Sequence, residues 1–402
     1  MRKAHFPLPS LCKANKLLIY TKLVVPIVRD VVMKPFVPEE LPIKKVQWER
    51  LIPLIGTANR SIAQYEGVLY GVPNPEVLLS PLTTQEAVLS SKIEGTQATL
   101  GEVLKFEAGE KPEEEARRQD IQEIINYRRA LAAAEQELKT RPFNLNLLLR
   151  LHEILLHGVR GQNKARGQFR KAQNWIGAPG SPINKAQFVP PEPLLLNGYL
   201  DNWEKYYHAD RPDALVQLAV VHAQFEIIHP FLDGNGRLGR ILIPLFLFEK
   251  KILFRPMFYL SEYLEQNRDE YVSRLRALGG GSRAWNQWIE FFLRALDEQA
   301  RKNAAKARAI MNCYAKLKQQ LIAVTHSQFA VPLLDQFFGR PIFQSNSLQF
   351  SHPRPSRQAI SSYLRRLREA GILKVVREGG GRRGQVLALA ELVNLCEGKE
   401  TI

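Results

Sequence analysis

A stretch of twelve residues between two apolar segments constrains the fold of this chain most strongly. It runs from His229 to Arg240 and reads His-Pro-Phe-Leu-Asp-Gly-Asn-Gly-Arg-Leu-Gly-Arg. Before it, residues 213–228 carry apolar side chains at helical spacing. After it, residues 241–248 are almost continuously apolar, as in a buried helix. The sequence therefore predicts two core helices joined by a short glycine-containing loop.

This loop combines the residue types of an anion site. The backbone N–H groups of residues 234–236 are expected at the start of the second helix, where the first amides lack an intrahelical partner and the dipole favours negative charge. Arg237 and Arg240 lie three residues apart and share a helical face, from which both reach phosphate oxygens. Asp233 offers oxygen ligands for Mg²⁺, which keeps substrate phosphates as further ligands. His229 is a proton acceptor near neutral pH.

Two formal motif matches fail because of their context. Gly234, Gly236 and Gly239 have the spacing of the dinucleotide fingerprint, but that fingerprint follows a strand, and the preceding segment is helical in pattern. His152 and His157 flank Glu153 in a pattern like that of zinc proteases, but with one extra residue between them. The two histidines then lie on divergent helical faces, so the pattern does not predict a metal site.

Composition limits the classes of protein to consider. Of 402 residues, 45% are hydrophobic and 24% are charged, which is typical of soluble globular proteins. Apolar runs stay shorter than the roughly 18 residues of a membrane helix, so we expect no membrane contact. The three scattered cysteines favour a reducing compartment, the cytoplasm. The net charge is +16, and residues 301–384 hold 16 Lys and Arg against 3 Asp and Glu, which predicts an acidic partner for that end.

The stretch from His229 to Arg240 resembles the signature of the Fic family, His-Pro-Phe-x-Asp-Gly-Asn-Gly-Arg-x-x-Arg, with each specified position present. Most members of that family are protein adenylyltransferases, which move AMP from ATP to a hydroxyl group of a target protein. The resemblance implies that His229 deprotonates the target hydroxyl and that Asp233 holds Mg²⁺. It implies that ATP binds along the turn and the following helix, with Arg237 at the β-phosphate and Arg240 at the γ-phosphate. The implied nucleotide contacts are Gly234, Asn235, Gly236, Arg237, Leu238, Gly239 and Arg240.

A second motif ends a helix predicted from about residue 84 to residue 93. Ser90 and Glu94 lie four residues apart and share a face, and Gly95 is a natural helix stop. Alone, Glu94 is an ordinary polar residue at a helix end. Beside the Fic signature, Ser90 to Gly95 is similar to the family's inhibitory motif, Ser/Thr-x-x-x-Glu-Gly/Asn. The resemblance implies that Glu94 pairs with Arg240 and competes with the γ-phosphate for its guanidinium group.

Residues 166–191 contain two short apolar runs around a Gly/Pro-rich loop, which predicts a β-hairpin. Alone, such a hairpin is a structural element that closes the core. The stretch also looks like the Fic flap, which implies that it covers the active site and pairs with a target segment through main-chain hydrogen bonds. The flap residues expected to dock the target are Ile176, Phe188 and Val189.

The segment from Tyr259 to Tyr271 also resembles the family, and it is expected to line the pocket for the base and ribose. We select Tyr263 and Asn267 as its contacts. Aromatic residues at helical spacing are otherwise usual in a core.

The C-terminal part has its own pattern. A helix is predicted from Ser356 to Ala370, followed by a hairpin of residues 373–377 and 386–389 with a basic tip. This order looks like a winged helix-turn-helix, an arrangement at the C-terminus of many Fic proteins. Arginine side chains in the helix and the tip are candidates to meet DNA phosphates, and the alternative is a surface for protein contacts or a homodimer. These arginines are Arg365, Arg366, Arg368, Arg382 and Arg383.

Together these features predict a mainly α-helical Fic core with a flap hairpin and a C-terminal winged helix. The predicted divisions are an N-terminal extension (1–45), a helical region with the inhibitory motif (46–110), the catalytic domain (111–300) and a helical linker with the winged helix (301–402). The predicted function is transfer of AMP from ATP to Ser, Thr or Tyr of a target protein or of the chain itself, with Gly236 favouring the ordinary orientation of ATP. The alternative is a DNA-binding regulator whose Fic core senses nucleotide.

Overall fold

The computed structural model describes residues 34–402, except residues 162, 179, 351–353 and 381–382. The predicted extension therefore falls largely outside the described residues, as does Arg382. The helices are α1 (Trp48–Tyr70), α2 (Pro75–Leu78), α3 (Ser80–Ile93), α4 (Leu100–Glu107), α5 (Glu115–Leu138), α6 (Leu145–Leu155), α7 (Leu196–His208), α8 (Ala214–Ile228), α9 (Asn235–Glu249), α10 (Ser261–Gln266), α11 (Arg268–Arg276), α12 (Ser282–Thr325), α13 (Ala330–Gly339), α14 (Arg357–Glu369) and α15 (Ala390–Glu397). The strands are β1 (Ile342–Gln344), β2 (Lys374–Arg377) and β3 (Val386–Ala388). The fold is mainly α-helical, as predicted.

The centre of the fold is the pair α8 and α9, which were predicted from the apolar segments on either side of the loop. Both helices are buried on nearly all faces, because α7 and α12 pack on α8 while α3, α5 and α6 pack on α9. Two tryptophans fix the packing on α8. Trp203 of α7 donates from its indole nitrogen to the Val221 carbonyl at 2.8 Å, and Trp288 of α12 donates to the Ala219 carbonyl at 2.8 Å.

The segment that contains α3 and α4 lies between this core and the C-terminal part of the chain. Helix α4 begins with a capping box, because the Thr99 amide donates to Glu102 at 2.8 Å and the Glu102 amide donates to the Thr99 hydroxyl at 3.3 Å. At the same helix start, the Gly101 amide donates to the Glu397 carboxylate at 3.2 Å. Helix α3 begins four residues earlier than predicted, because Pro81 is compatible with a first helical turn.

The C-terminal part joins α13, α14 and α15 to an antiparallel sheet with the strand order β1–β3–β2. The predicted helix from residue 356 and the two predicted strands are present as α14, β2 and β3. Strand β1 was not predicted, because its three residues are too few to show an alternating pattern. The winged helix stays a prediction, as do the domain boundaries. Among the described helices, none has the length and apolar character needed to cross a membrane.

The predicted flap hairpin is reduced to one antiparallel bridge between Ile176 and Phe188. The Ile176 amide donates to the Phe188 carbonyl at 2.8 Å, and the Gln187 amide donates to the Ile176 carbonyl at 2.7 Å. A 3₁₀ turn over Ile183–Lys185 takes up much of the intervening loop. Pro190 and Pro191 follow, and they have no N–H groups with which to extend a ladder. The pairing therefore stops after one bridge.

Candidate active site

His229 ends helix α8 in a left-handed backbone conformation, with φ 48° and ψ 58°. This conformation is uncommon for a residue with a side chain, so neighbouring contacts must hold it. The guanidinium group of the buried Arg170 donates to the His229 carbonyl at 2.9 Å and to the Pro191 carbonyl at 2.5 Å. The Arg170 amide also donates to the Pro230 carbonyl at 2.9 Å. Arg170 thus fixes the turn that presents the imidazole.

The contacts of the His229 imidazole define which of its nitrogens carries the proton. Its Nδ1 lies 3.2 Å from the Glu226 carbonyl, which only accepts, so Nδ1 carries the proton and Nε2 keeps its lone pair. Burial lowers the pKa of His229 to about 4, although the Glu226 carbonyl and the Glu94 carboxylate act to raise it. The ring is therefore uncharged at neutral pH.

The loop after His229 is built by buried polar side chains. The side chain of Asn235 spans the turn: its Oδ1 accepts from the Phe231 backbone amide at 2.9 Å, and its Nδ2 donates to the Phe231 carbonyl at 2.8 Å. His152 accepts from the Gly167 amide at 2.9 Å and so donates through Nε2 to the Asp233 carbonyl at 3.0 Å. Because both polar atoms of the Asn235 side chain bond the Phe231 backbone, this side chain holds the loop in shape.

The first turn of α9 presents the predicted anion site. Gly234 takes φ 79° immediately before the helix, and the amides of residues 235–237 have no intrahelical acceptor. A Cβ atom on Gly236 would collide with Oε1 of Glu94. The Glu94 carboxylate therefore lies directly over the start of α9, where the helix dipole favours a negative charge.

Arg240 holds this carboxylate in place. Its guanidinium group donates to Glu94 Oε1 at 2.6 Å, to the Ser90 hydroxyl at 2.8 Å and to the Ser90 carbonyl at 3.0 Å. The Arg240 side chain is only 2% exposed. Burial acts to raise the pKa of Glu94, but the charge of Arg240 outweighs it and the pKa lies below its usual value. The two groups thus form a charged pair at neutral pH.

Arg237 is engaged elsewhere. Its buried guanidinium group donates to Glu123 of α5 at 2.8 Å and to Asp233 at 3.4 Å. Its Nε atom has no partner among the described residues. A phosphate at Arg237 must therefore share the guanidinium group with Glu123.

One of the two carboxylate oxygens of Asp233 already accepts a hydrogen bond within the loop. Oδ1 accepts from the Gly234 amide at 2.6 Å, and the side chain is 40% exposed. Mg²⁺ in nucleotide sites is commonly held by one or two carboxylates together with substrate phosphates. Asp233 fits that pattern through its second oxygen. Within the described residues, no group of three or more His, Cys, Asp or Glu side chains forms a metal site by itself.

Glu94, His229, Gly236 and Arg240 open into one cavity of about 320 Å³, whereas Asp233 and Arg237 are not among its lining residues. It is lined by the end of α3, the flap, the end of α8, the start of α9 and helix α11. Its lining residues are Ile93, Glu94, Ile176, Gly177, Gln187, Phe188, Glu226, Ile227, His229, Gly236, Arg240, Arg268, Tyr271, Val272, Leu275 and Arg276. The cavity thus joins the predicted base, the predicted inhibitory residue and two of the predicted flap residues.

Some predicted residues lie outside this lining. The ring of Tyr263 packs against Phe291, with ring centroids 5.9 Å apart. The side-chain Nδ2 of Asn267 donates to the Tyr263 carbonyl at 2.9 Å. Tyr271 and Arg268, one turn or more further along, line the cavity instead. Val189 is buried, and its carbonyl accepts from the Phe36 amide at 2.8 Å. Leu238 is fully buried and faces the core.

Sequence reasoning missed three residues of the site. Arg170 and His152 shape the loop, and Glu226 lines the cavity. Tyr271 also lines the cavity, and it lies in the segment predicted to do so, although it was not singled out. Glu226 offered a signal, because it is the only Asp, Glu, Lys or Arg residue in the mostly apolar helix α8. Arg170 and His152 gave none, because their partners are backbone atoms brought close only by the fold.

The fold is mainly α-helical, and the loop between α8 and α9 places a buried histidine next to a helix that begins with two arginines in its first two turns. Residues 52–136 match the Fic/DOC family N-terminal model, and residues 142–247 match the Fic/DOC family model. These two matches identify residues 52–136 and 142–247 as Fic/DOC family domains.

The chain is similar to known relatives and to solved structures. It is 29% identical over 214 residues to a probable protein adenylyltransferase from Aquifex aeolicus, a match that covers 52% of this chain and 58% of that protein. It is 32% identical over 91 residues to a Fido domain-containing protein from Dictyostelium discoideum, covering 22% of this chain and 59% of that protein. Both matches span less than two thirds of the relatives. The crystal structure of a Fic family protein from Desulfovibrio desulfuricans shares the fold, with a TM-score of 0.55 at 20% identity over 89% of this chain and 98% of that one.

Proposed function

We propose that the chain is a protein adenylyltransferase that transfers AMP from ATP to a hydroxyl group of a protein, and that Glu94 restrains it. The observation that carries the proposal is the contact of Glu94 with Arg240 over the start of α9, in the cavity that also contains His229. A carboxylate held at an anion site beside a neutral base is the arrangement expected of a restrained phosphate-transfer site. Similarity to the probable adenylyltransferase from Aquifex aeolicus supports the choice of AMP.

In the proposed reaction, the target hydroxyl oxygen attacks the α-phosphorus of ATP. A phosphorus–oxygen bond to the target forms, the bond to the bridging oxygen of the β-phosphate breaks, and pyrophosphate leaves. The hydroxyl proton passes to Nε2 of His229, which Arg170 and the Glu226 carbonyl orient. The amides at the start of α9 and the Arg240 guanidinium group stabilise the phosphate charges.

Asp233 is the residue we assign to Mg²⁺. A bound Mg²⁺ supplies positive charge that offsets the charge of the phosphates. The other residues of the site bind and orient the substrates without the metal ion. The Asn235 side chain and His152 keep the loop in shape before the nucleotide enters.

The target is proposed to dock along the flap. The edge of the flap at Val189 is already paired within the chain, because the Phe36 amide donates to the Val189 carbonyl. The ring of Phe36 also packs on the ring of Phe188, with centroids 5.4 Å apart. Addition of a strand needs unpaired main-chain groups. We therefore assign the target to the edge at Trp175 and Gly177, which leads toward the cavity.

The test is incubation with α-labelled ATP and Mg²⁺, comparing wild type, Glu94→Gly and Glu94→Gly with His229→Ala. We expect weak self-labelling of the wild type, strong labelling of Glu94→Gly, and none once His229 is replaced. Ser91→Gly is the matched control for a loosened helix end, because the Ser91 hydroxyl has no partner among the described residues. If Glu94→Gly is unlabelled by ATP, CTP, GTP and UTP alike, the transferase proposal is wrong.

A further inference from the structure

A groove in the C-terminal part of the chain shares no lining residue with the cavity that contains His229. It runs between the loop that follows β1 and one face of α14, and its volume is about 1190 Å³. Helix α14 contributes side chains that recur every three or four positions and so share one face, namely residues 357, 360, 361, 364, 365 and 368. The groove is therefore a second concave site, and the proposed transfer of AMP does not use it.

Four arginine side chains line this groove, and no Asp or Glu residue does. The arginines are Arg354, Arg357, Arg365 and Arg368. Within the described part of the chain, none of the four forms a salt bridge, and Arg368 donates instead to the neutral side chain of Gln385 at 3.1 Å. Like charges around one groove repel each other, so the binding of an anion there is favourable.

The spacing of the arginines indicates the length of that anion. Arg357 and Arg368 are eleven positions apart in α14, which corresponds to about 16 Å along a helix. One strand of a nucleic acid advances about 3.4 Å per phosphate, so about five phosphates cover this length. The three phosphates of a nucleoside triphosphate cover only part of it. The row of arginines thus fits an extended chain of phosphates.

The neutral side chains of the groove fit the same ligand. The apolar members of the lining are at most half-exposed and pack against the hydrophobic core, among them Leu348 and Ile360. The exposed neutral members include Asn346, Gln349 and Ser361. Amide and hydroxyl side chains of this kind, together with arginine, make most contacts of proteins with nucleic-acid phosphates. An amphipathic acidic peptide would instead need exposed apolar side chains in the groove.

We infer that this groove binds the phosphodiester backbone of a nucleic acid, with its four arginines in contact with successive phosphates. Phosphates carry no sequence information, so binding is independent of base sequence and weakens as the salt concentration rises. This inference does not depend on the proposed function, because the two sites have separate linings.

The experiment measures binding of the full chain to labelled DNA by fluorescence anisotropy over a range of salt concentrations. The probes are a duplex of arbitrary sequence and one of its single strands, and the tighter of the two identifies the form that the groove prefers. Each phosphate contact contributes about 0.9 to the slope of log K against log salt for a duplex and about 0.7 for a single strand. The slope should therefore fall by about two such contributions in Arg357→Ala with Arg365→Ala, and binding should weaken by roughly tenfold or more.

The matched control removes the same charge elsewhere. Arg60→Ala with Arg141→Ala changes two exposed arginines that do not line the groove, so binding should stay close to that of the wild type. The inference is overturned if the wild type binds neither probe at low salt, or if the control pair weakens binding as much as the groove pair. Displacement of both DNA probes by a lower concentration of poly-glutamate of equal charge would assign the groove to an acidic protein instead.

Discussion

Arg240 donates a hydrogen bond of 2.6 Å to the carboxylate of Glu94, although the two residues are 146 positions apart in the chain. The same guanidinium group also bonds the Ser90 side chain and main chain, so one turn of α3 fills most of its donor positions. A phosphate must replace Glu94 to reach Arg240, because both ligands use the same planar donors.

Ser90→Ala is predicted to weaken the restraint partly. The substitution removes the acceptor at 2.8 Å from Arg240 Nε but keeps the carbonyl and Glu94 contacts. A hydrogen bond from a charged donor contributes about 1.5–3 kcal/mol, so self-labelling with α-labelled ATP should rise above wild type but stay below Glu94→Gly. Ser91→Ala is the control, since its hydroxyl is buried without a partner. Labelling of Ser90→Ala at the wild-type level would show that Glu94 alone holds Arg240.

Arg170→Lys is predicted to lower kcat with little change in the KM for ATP. A lysine cannot reproduce the forked contacts with the carbonyls of His229 and Pro191, so the strained turn loses its support. In a Glu94→Gly background, we expect kcat to fall by roughly tenfold or more, as when a base is misplaced. The exposed neighbour Lys171, changed to Ala, is the control. A change confined to KM would instead assign Arg170 to nucleotide binding.

The pH profile tests the state of His229. The pKa of His229 is lowered to about 4, so the neutral form that accepts a proton prevails above that pH and is lost as the pH falls through it. For Glu94→Gly, kcat/KM should stay level from about pH 8 to about pH 5 and decline below. Removal of the Glu94 charge shifts the decline further toward acid, because that charge raises the pKa of His229. A decline with its midpoint near pH 6.5 would contradict a buried, neutral imidazole.

Asn235→Ala is predicted to destabilise the loop. The Phe231 amide is buried and loses its acceptor, and the paired Asn235 donor is lost with it, at a cost of roughly 2–4 kcal/mol. Asn174→Ala removes only a second donor to the Phe231 carbonyl and should cost about 1 kcal/mol. Thermal unfolding should therefore give a clearly lower Tm for Asn235→Ala than for Asn174→Ala. Equal values would mean that the loop keeps its shape without Asn235.

The sequence determined the helical core and the chemistry of its loop. Spacing of apolar residues predicted α8 and α9 because helix periodicity is a local property. The order from His229 to Arg240 placed the histidine, the helix start and the arginines next to one another, since all lie within twelve consecutive residues. The capping box of Thr99 and Glu102 is equally local, because its two residues are three positions apart. Glu94 was identified only through its resemblance to a family motif.

Only the tertiary structure decided which distant groups meet. Arg237 of α9 donates a hydrogen bond to Glu123 of α5, and the Val189 carbonyl accepts one from the Phe36 amide. Tyr271, and not Tyr263, lines the cavity. Each of these depends on how helices and loops far apart in sequence pack together. Glu226 Oε1, which is buried without a hydrogen-bond partner among the described residues, is the same kind of result. A buried unpaired acceptor is recognised only when every neighbouring donor is known.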